Sequence, residues 1–394
     1  MRASLRIAHL ADSHLGYRGP GGHDEHGRNQ RLVDAERAFE AALTAIIDER
    51  PDVVLHAGDL FHHTRPTWDT VGHLVRQLRR VEAAGIPCLV IAGNHDTPRL
   101  RSSSSVYTLL RDILPGIRFA TGYDLTEEAF PDLDLLVQAV PHGALTNPDQ
   151  PLLGHDDELR NVIVTHGLAP RVQLRGAHEP GEERLPENLL DPDFDYIALG
   201  HFHEWGDQGR NAWYSGSTER FGWGDLPAEP GWNLVTLGPQ GAAPAVEHRP
   251  VPTRPMVRIR DLAVGERSAQ AIVDEVLTQL EALNEPAAMV RVEVVGAARP
   301  VRREAAHLLA QQAGGRVWHV ELVAPGDPVI GRYDGDHETM TDVRVMFGRF
   351  VDERARERVY DDDFAVRFRD RGLRALEAAM EAAREATADE EGAA

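Results

Sequence analysis

Lysine is absent from the sequence, cysteine occurs once, and there is no long apolar run. The single cysteine, Cys88, excludes an intrachain disulfide, and its apolar neighbours predict a small core residue of a cytosolic protein. No window approaches the roughly 18 uninterrupted apolar residues of a membrane span. The first residues also become polar too soon for a secretory signal. We therefore expect a cytoplasmic protein without membrane contact, and its 394 residues are enough for two or three domains.

Positive charge is also scarce, since the formal net charge is −21. Taken alone, this argues against nucleic-acid binding, because phosphate contacts normally come from a basic surface. However, acidic residues are concentrated in the C-terminal tail, and bound divalent cations would add positive charge that the count omits. The net charge therefore does not exclude a nucleic-acid substrate.

The first part of the sequence alternates between short apolar runs and helical periods. The apolar runs Leu5–Leu10, Val53–Ala57 and Ile86–Ile91 predict buried strands. Apolar residues recur at helical spacing in Arg31–Glu49 and again from Trp68 to Val81. A more strand-rich region follows, so the predicted fold class is α/β.

A proline-rich segment, His248–Pro255, predicts a domain boundary. Residues 1–250 would form the main domain, 251–330 a small α+β module, and 331–394 a linker and helical tail. The tail carries apolar residues at Val345, Phe347, Phe350, Val351, Leu373, Leu376 and Met380. Such a detached apolar face predicts either a surface for a partner or packing on the chain's own domains.

Five groups of polar residues each follow a predicted strand. They are Asp12-x-His14, Gly58-Asp59, Gly93-Asn94-His95-Asp96, His166 and Gly200-His201-x-His203. Because strand ends share one edge in α/β sheets, these residues can converge there. A carboxylate such as Asp59 can bridge two metal ions, and mixed nitrogen and oxygen donors suit manganese, iron or zinc better than calcium. In contrast, His9 and His56 lie within predicted strands and should be packed residues.

The ordered motifs resemble those of the calcineurin-like metallophosphoesterase superfamily, whose pattern is D-x-H, G-D, G-N-H-D/E, H and G-H-x-H. The resemblance covers about Arg6 to Ser217. Within the superfamily, DSHLGY, GDLFHHTRP, GNHD and YSGSTER are similar to the SbcD-type nuclease subunit of a double-strand-break repair complex. This resemblance implies an α/β/β/α sandwich with a capping domain. It also implies DNA as substrate, an SbcC-type SMC-like ATPase partner and a homodimer.

The resemblance further implies two divalent metal ions, with Mn²⁺ favoured, and a role for each site residue. The first metal would be bound by Asp12, His14, Asp59 and His203, and the second by Asp59, Asn94, His166 and His201. His95 would face the scissile phosphate and either protonate the leaving oxygen or stabilise charge. Asp96 would orient the His95 ring, and His62 would lie near the substrate.

The predicted function is therefore a dinuclear-metal-dependent DNA nuclease that hydrolyses phosphodiesters at DNA ends or hairpins. Arg65 and Arg99 could contact the DNA backbone or could equally be solvated surface residues. Tyr17 could stack on a base or could equally pack in the core or at the rim of the site. One alternative is a phosphodiesterase acting on cyclic nucleotides or other small phosphodiesters, which the acidic charge favours but the extra module and tail do not. Another is a DNA-end-binding subunit without catalysis, which the intact set of ligand residues disfavours.

Overall fold

Two six-stranded sheets form the main part of the computed structural model. The structure describes residues 3–98, 105–146, 154–170, 172, 183–190, 193–324, 351 and 366–374. The strands are β1 Leu5–Leu10, β2 Val53–Ala57, β3 Cys88–Ile91, β4 Ile117–Ala120, β5 Thr126–Phe130, β6 Leu135–Val140, β7 Arg160–His166, β8 Tyr196–Gly200, β9 Gly206–Gly209, β10 Ala212–Tyr214, β11 Gly231–Leu237, β12 Ala245–Pro250, β13 Met256–Ala263, β14 Met289–Val295 and β15 His319–Val323. The helices are α1 Gln30–Glu49, α2 Trp68–Ala83, α3 Val106–Ile113, α4 His142–Leu145, α5 Ala269–Leu283 and α6 Arg299–Gln312.

The first sheet has the strand order β12-β11-β1-β2-β3-β4, and the second has the order β5-β6-β7-β8-β10-β9. In the first sheet β1 to β4 run parallel, and β11 pairs with β1 in the antiparallel direction. In the second sheet β6, β7, β8 and β10 run parallel. The parallel strands therefore deliver their carboxyl ends to a common edge of each sheet.

The main core lies between the two sheets. Leu55 and Leu89 of the first sheet belong to the same buried cluster as Val137, Val162 and Ala198 of the second. The opposite face of the first sheet packs on α1, α2 and α3 through a second buried cluster. This arrangement confirms the predicted α/β fold class and explains why the central strands read as continuous apolar runs, since both faces are buried.

The predicted helix Arg31–Glu49 is observed as α1. The side chain of Asn29 caps its N-terminus by accepting hydrogen bonds from the N–H groups of Arg31 and Leu32. The predicted strand Ile86–Ile91 is shorter in the structure and begins at Cys88. The sequence did not predict α3 or the edge strands β5 and β9, which are short and lack a long apolar run.

The small α+β module has its own three-stranded parallel sheet, in the order β13-β14-β15. Val290, Val292 and Val294 pack against α5 and α6 in a separate buried cluster. The alternate residues of β14 present a charged face. On this face, Nε of Arg291 lies 2.9 Å from Oε1 of Glu321 in β15. The module is therefore apolar on the helix side of its sheet and ionic on the other side.

The chain divides into two compact units, residues Met1–Asp334 and Gly335–Ala394. Of the predicted tail, residues 366–374 are helical and include Leu373. The other apolar tail residues, apart from Val351, lie outside the described residues, so docking by the tail stays a prediction. Among the helices that the structure describes, none is long and apolar enough to cross a membrane.

Cys88 should be unreactive in the native protein. Its side chain is only 2% exposed in the core of the first sheet, and burial raises the pKa of its thiol to about 12. Because the thiolate is the reactive form, a disulfide reagent should label no cysteine in buffer and one cysteine per chain in denaturant. Labelling of the native protein at the denatured rate would contradict the position of β3 in the core.

Candidate metal centre

The site forms where β1, β2, β3, β7 and β8 end. The loops after β1 and β2 are tied together, because the N–H of His14 donates to the carbonyl of Asp59 at 3.0 Å. The loop after β8 is held by its backbone, since the N–H of His201 donates to Oδ2 of Asp12 at 2.9 Å. These bonds bring three of the five predicted motifs to one edge of the sandwich.

The backbone at this edge is tightly constrained. Asp12, His14 and Asp59 have φ angles of 51°, 41° and 51°, in the left-handed region that residues other than glycine seldom adopt. A β-carbon on Gly58 would lie 2.4 Å from Nδ1 of His166, and one on Gly93 would lie 2.2 Å from Oδ1 of Asp59. Only glycine therefore allows the strand ends to approach this closely.

Among the described residues, donor atoms converge in three groups, of which one joins His14 to His62 and His95. The other two groups meet at Asp59. In one group, Asp12, His14 and His203 place their donor atoms within 4.8 Å of one another, and the Nε2 atoms of the two histidines are 3.2 Å apart. In the other group are Asp59, His166 and His201. Oδ2 of Asp59 lies 3.2 Å from Nε2 of His166 and 3.7 Å from Nε2 of His14.

Asn94 completes the second group. Its Oδ1 lies 3.0 Å from Nε2 of His166 and 3.0 Å from Nδ1 of His201. The structure thus brings together all seven residues for which a metal-binding role was predicted: Asp12, His14, Asp59, Asn94, His166, His201 and His203.

Electrostatics support the binding of cations at this site. Burial alone would raise the pKa of Asp59, but the positive charge of the adjacent His166 holds it well below its usual value. Burial opposes protonation of His166, yet Asp59 raises the pKa of His166 to about 9. Burial lowers the pKa of His14 well below its usual value, which leaves this imidazole neutral. A proton on His166 thus supplies the positive charge that a bound cation would provide, so the donor set fits divalent metal ions.

His95 and His62 lie beside these donors. Their rings are stacked, with centroids 5.4 Å apart and an interplanar angle of 9°. Nδ1 of His62 lies 3.5 Å from Nδ1 of His14. The N–H of His95 donates to Oδ1 of Asp59 at 2.9 Å, so the backbone of His95 also positions the central carboxylate.

The role predicted for Asp96 requires correction. Its carboxylate accepts hydrogen bonds from the N–H groups of Gly93 and Leu60 and from the hydroxyl of Tyr107, at 2.6, 2.8 and 2.6 Å. Nδ1 of His95 instead lies 3.1 Å from the carbonyl oxygen of His62. Asp96 therefore holds the loops after β2 and β3 together, and the His62 carbonyl orients the His95 ring.

Tyr17 is not available to stack on a base. It is only 3% exposed, and its hydroxyl donates to the carbonyl of Phe221.

Arg65 is exposed, as a contact with DNA would require, whereas Arg99 lies outside the described residues. His9 and His56 are buried within their strands, as predicted.

Sequence reasoning missed Tyr107 and Asp225. Tyr107 lies in the first turn of the unpredicted helix α3, and its hydroxyl donates to Asp96. Oδ2 of Asp225 lies 3.0 Å from Nδ1 of His203. Neither residue follows a strand within a ligand motif, so the sequence pattern contained no signal for them.

Residues 5–205, about half of the chain, match the family model for the calcineurin-like phosphoesterases. The chain belongs to this family. This calcineurin-like phosphoesterase is 29% identical over 321 residues to the DNA double-strand break repair protein Mre11 of Haloferax volcanii, covering 80% of this chain and 67% of that protein.

Two further relatives carry the same description. The Mre11 protein of Halobacterium salinarum is 28% identical over 287 residues, covering 70% of this chain and 67% of the relative. That of Methanocaldococcus jannaschii is 29% identical over 230 residues, covering 55% of this chain and 57% of the relative. The calcineurin-like phosphoesterase described here therefore spans about 57% to 67% of the length of these curated relatives.

Proposed function

We propose that this phosphoesterase is a dinuclear-metal-dependent DNA nuclease that hydrolyses phosphodiesters at DNA ends or hairpins. The observation that carries the proposal is the position of Asp59 between two groups of metal-donor atoms. The choice of DNA is supported by relatives described as DNA double-strand break repair proteins. A cytoplasmic location suits both this substrate and the single cysteine.

Two Mn²⁺ ions are the proposed metals, with Asp59 as the bridging ligand. Asp12, His14 and His203 would complete the coordination of the first ion. Asn94, His166 and His201 would complete the coordination of the second ion. Imidazole and carboxylate donors without a thiolate suit Mn²⁺. The amide oxygen of Asn94 adds a donor without adding negative charge.

The bound cations would activate a water molecule and neutralise charge on the phosphate oxygens. His95 supplies the proton for the leaving oxygen in our proposal. Because the His62 carbonyl lies 3.1 Å from Nδ1 of His95, the proton on Nδ1 is fixed there, and Nε2 is left to exchange a proton with the substrate. Burial lowers the pKa of His95, although the nearby Asp59 carboxylate opposes the shift. The protonated ring is therefore a stronger acid, and a smaller fraction of His95 is protonated.

A homodimer and an SMC-like ATPase partner of the SbcC type complete the proposed assembly. The second proposal is supported by the sequence of the tail, whose apolar residues predict a surface for a partner. If deletion of residues 343–394 left binding to the ATPase unchanged, the tail would not be the docking segment.

A small-phosphodiester substrate is the second candidate, favoured by the net charge of −21. The test uses the full chain with Mn²⁺ on end-labelled linear duplex, hairpin DNA, a cyclic nucleotide and bis(p-nitrophenyl) phosphate. We expect Mn²⁺-dependent cleavage of the linear and hairpin DNA that a chelator abolishes and added Mn²⁺ restores. Cleavage of the small substrates without cleavage of either DNA would favour the second candidate.

A further inference from the structure

Asp225 lies behind the metal-donor histidine His203. It is fully buried, and its Oδ2 lies 3.0 Å from Nδ1 of His203 and accepts the N–H of Phe221 at 2.9 Å. The other ring nitrogen of His203, Nε2, lies 3.2 Å from Nε2 of His14, on the side of the metal centre. The His203 ring therefore stands between a carboxylate and the proposed metal.

This contact fixes the chemical form of His203. A carboxylate accepts a proton-bearing nitrogen, so the Nδ1–H of His203 points to Asp225 and the lone pair of Nε2 faces the donors. The partner of the His166 ring is a neutral group instead, because Nδ1 of His166 lies 2.8 Å from the carbonyl oxygen of Ala57. A carboxylate partner makes imidazole a more basic ligand than a carbonyl partner does.

The same segment contacts the α+β module. The guanidinium of Arg291 in β14 lies 5.6 Å from the centre of the Trp223 ring. Burial raises the pKa of Glu321 of β15, whose Oε1 lies 2.9 Å from Nε of Arg291, and the Trp223 side chain is close enough to oppose this shift. Arg291 is 2% exposed and Trp223 is 7% exposed, so the ionic face of the module covers this segment.

We propose that Asp225 is a positioning residue for His203, and that the α+β module holds Asp225 in place through Trp223. The inference rests on the proposed metal-binding role of His203. It gives the module a function in building the metal centre. The module contacts Trp223, and Asp225 follows Trp223 by two residues in the sequence.

The test is Mn²⁺ binding to the full chain, measured by calorimetry. Asp225→Asn keeps the shape of the side chain but presents a neutral amide to Nδ1 of His203. We expect one of the two Mn²⁺ sites to weaken by about 10–100-fold while the protein stays folded. The visible spectrum of the Co²⁺-loaded protein should change as well, because the basicity of a ligand changes.

Asp195→Asn is the matched control. Asp195 is 4% exposed and accepts the N–H groups of Asn161 and Gly241, both at 2.8 Å, with no ligand residue among these partners. This variant should bind Mn²⁺ and Co²⁺ as the wild type does, so a loss specific to Asp225→Asn would separate positioning from general destabilisation.

Trp223→Leu tests the part assigned to the module and should weaken the same site by several-fold. Wild-type Mn²⁺ affinity and Co²⁺ spectrum in Asp225→Asn would overturn the positioning role while leaving the proposed nuclease intact. Unchanged affinity in Trp223→Leu alone would overturn the role of the module. A wild-type protein that binds no Mn²⁺ would instead overturn the proposed function itself.

Discussion

Asp59→Asn should lower Mn²⁺-dependent cleavage of DNA by about 10³-fold or more. A bound metal pair contributes several kcal/mol to stabilisation of the transition state, and about 1.4 kcal/mol corresponds to each tenfold change in rate. Asp59 is the residue whose Oδ2 lies within 3.7 Å of a histidine nitrogen from each group of donors. Replacing Asp59 should therefore remove a ligand from both metal ions, whereas replacing any other donor would remove a ligand from one ion.

Charge is the physical reason for the expected loss. Burial disfavours the carboxylate form of Asp59, yet the charge of His166 holds its pKa well below the usual value, so the side chain carries a full negative charge. An asparagine has nearly the same shape but only one oxygen and no charge. It can bind one cation weakly and cannot hold two together.

The measurement combines Mn²⁺ titration by calorimetry with cleavage of end-labelled linear DNA at saturating metal. Asp195→Asn serves again as a buried-carboxylate control, and its activity should stay close to that of the wild type. Asp59→Asn with two Mn²⁺ bound at wild-type affinity would show that this carboxylate does not bridge the metals.

The metal donors could be predicted from sequence because two local signals coincide. Each donor group directly follows an apolar run, and parallel strands place their ends at a shared edge. Thus His166 and His203, far apart from Asp12 in the sequence, could be assigned to one site. The φ angles of Asp12 and Asp59, both 51°, show that local backbone preference is overridden where these donors converge.

The contacts around the donors could not be predicted, because they depend on which distant segment covers each loop. Asp96 stands next to His95 in sequence, yet its carboxylate bonds to the hydroxyl of Tyr107 from a helix that the sequence did not reveal. The sequence left open whether Tyr17 stacks on a base or packs within the protein, and contact with Phe221 from a remote loop decides for packing. Neighbouring residues in the sequence therefore identified the site. They did not identify the hydrogen-bond partners of side chains such as Asp96, which come from distant segments.

His95→Ala should reduce cleavage of DNA by about 10²- to 10⁴-fold, the usual contribution of a general acid. Binding of Mn²⁺ should be retained, because the contact of His95 with Asp59 runs through its backbone N–H at 2.9 Å, which alanine keeps. This combination of lost turnover and kept metal distinguishes His95 from Asp59. His155→Ala, which removes a histidine from an exposed loop, is the control and should be fully active.

The leaving group then tests what His95 does. An alkoxide leaving from DNA needs a proton, whereas p-nitrophenolate is stable without one, so a general acid matters mainly for the first substrate. We expect His95→Ala to lose much less activity on bis(p-nitrophenyl) phosphate than on DNA, both measured at saturating Mn²⁺. An equal loss on both substrates would assign His95 to stabilising charge on the phosphate. Full activity of the variant on DNA would mean that this ring does not take part in the reaction, even though it is stacked on His62 beside the donors.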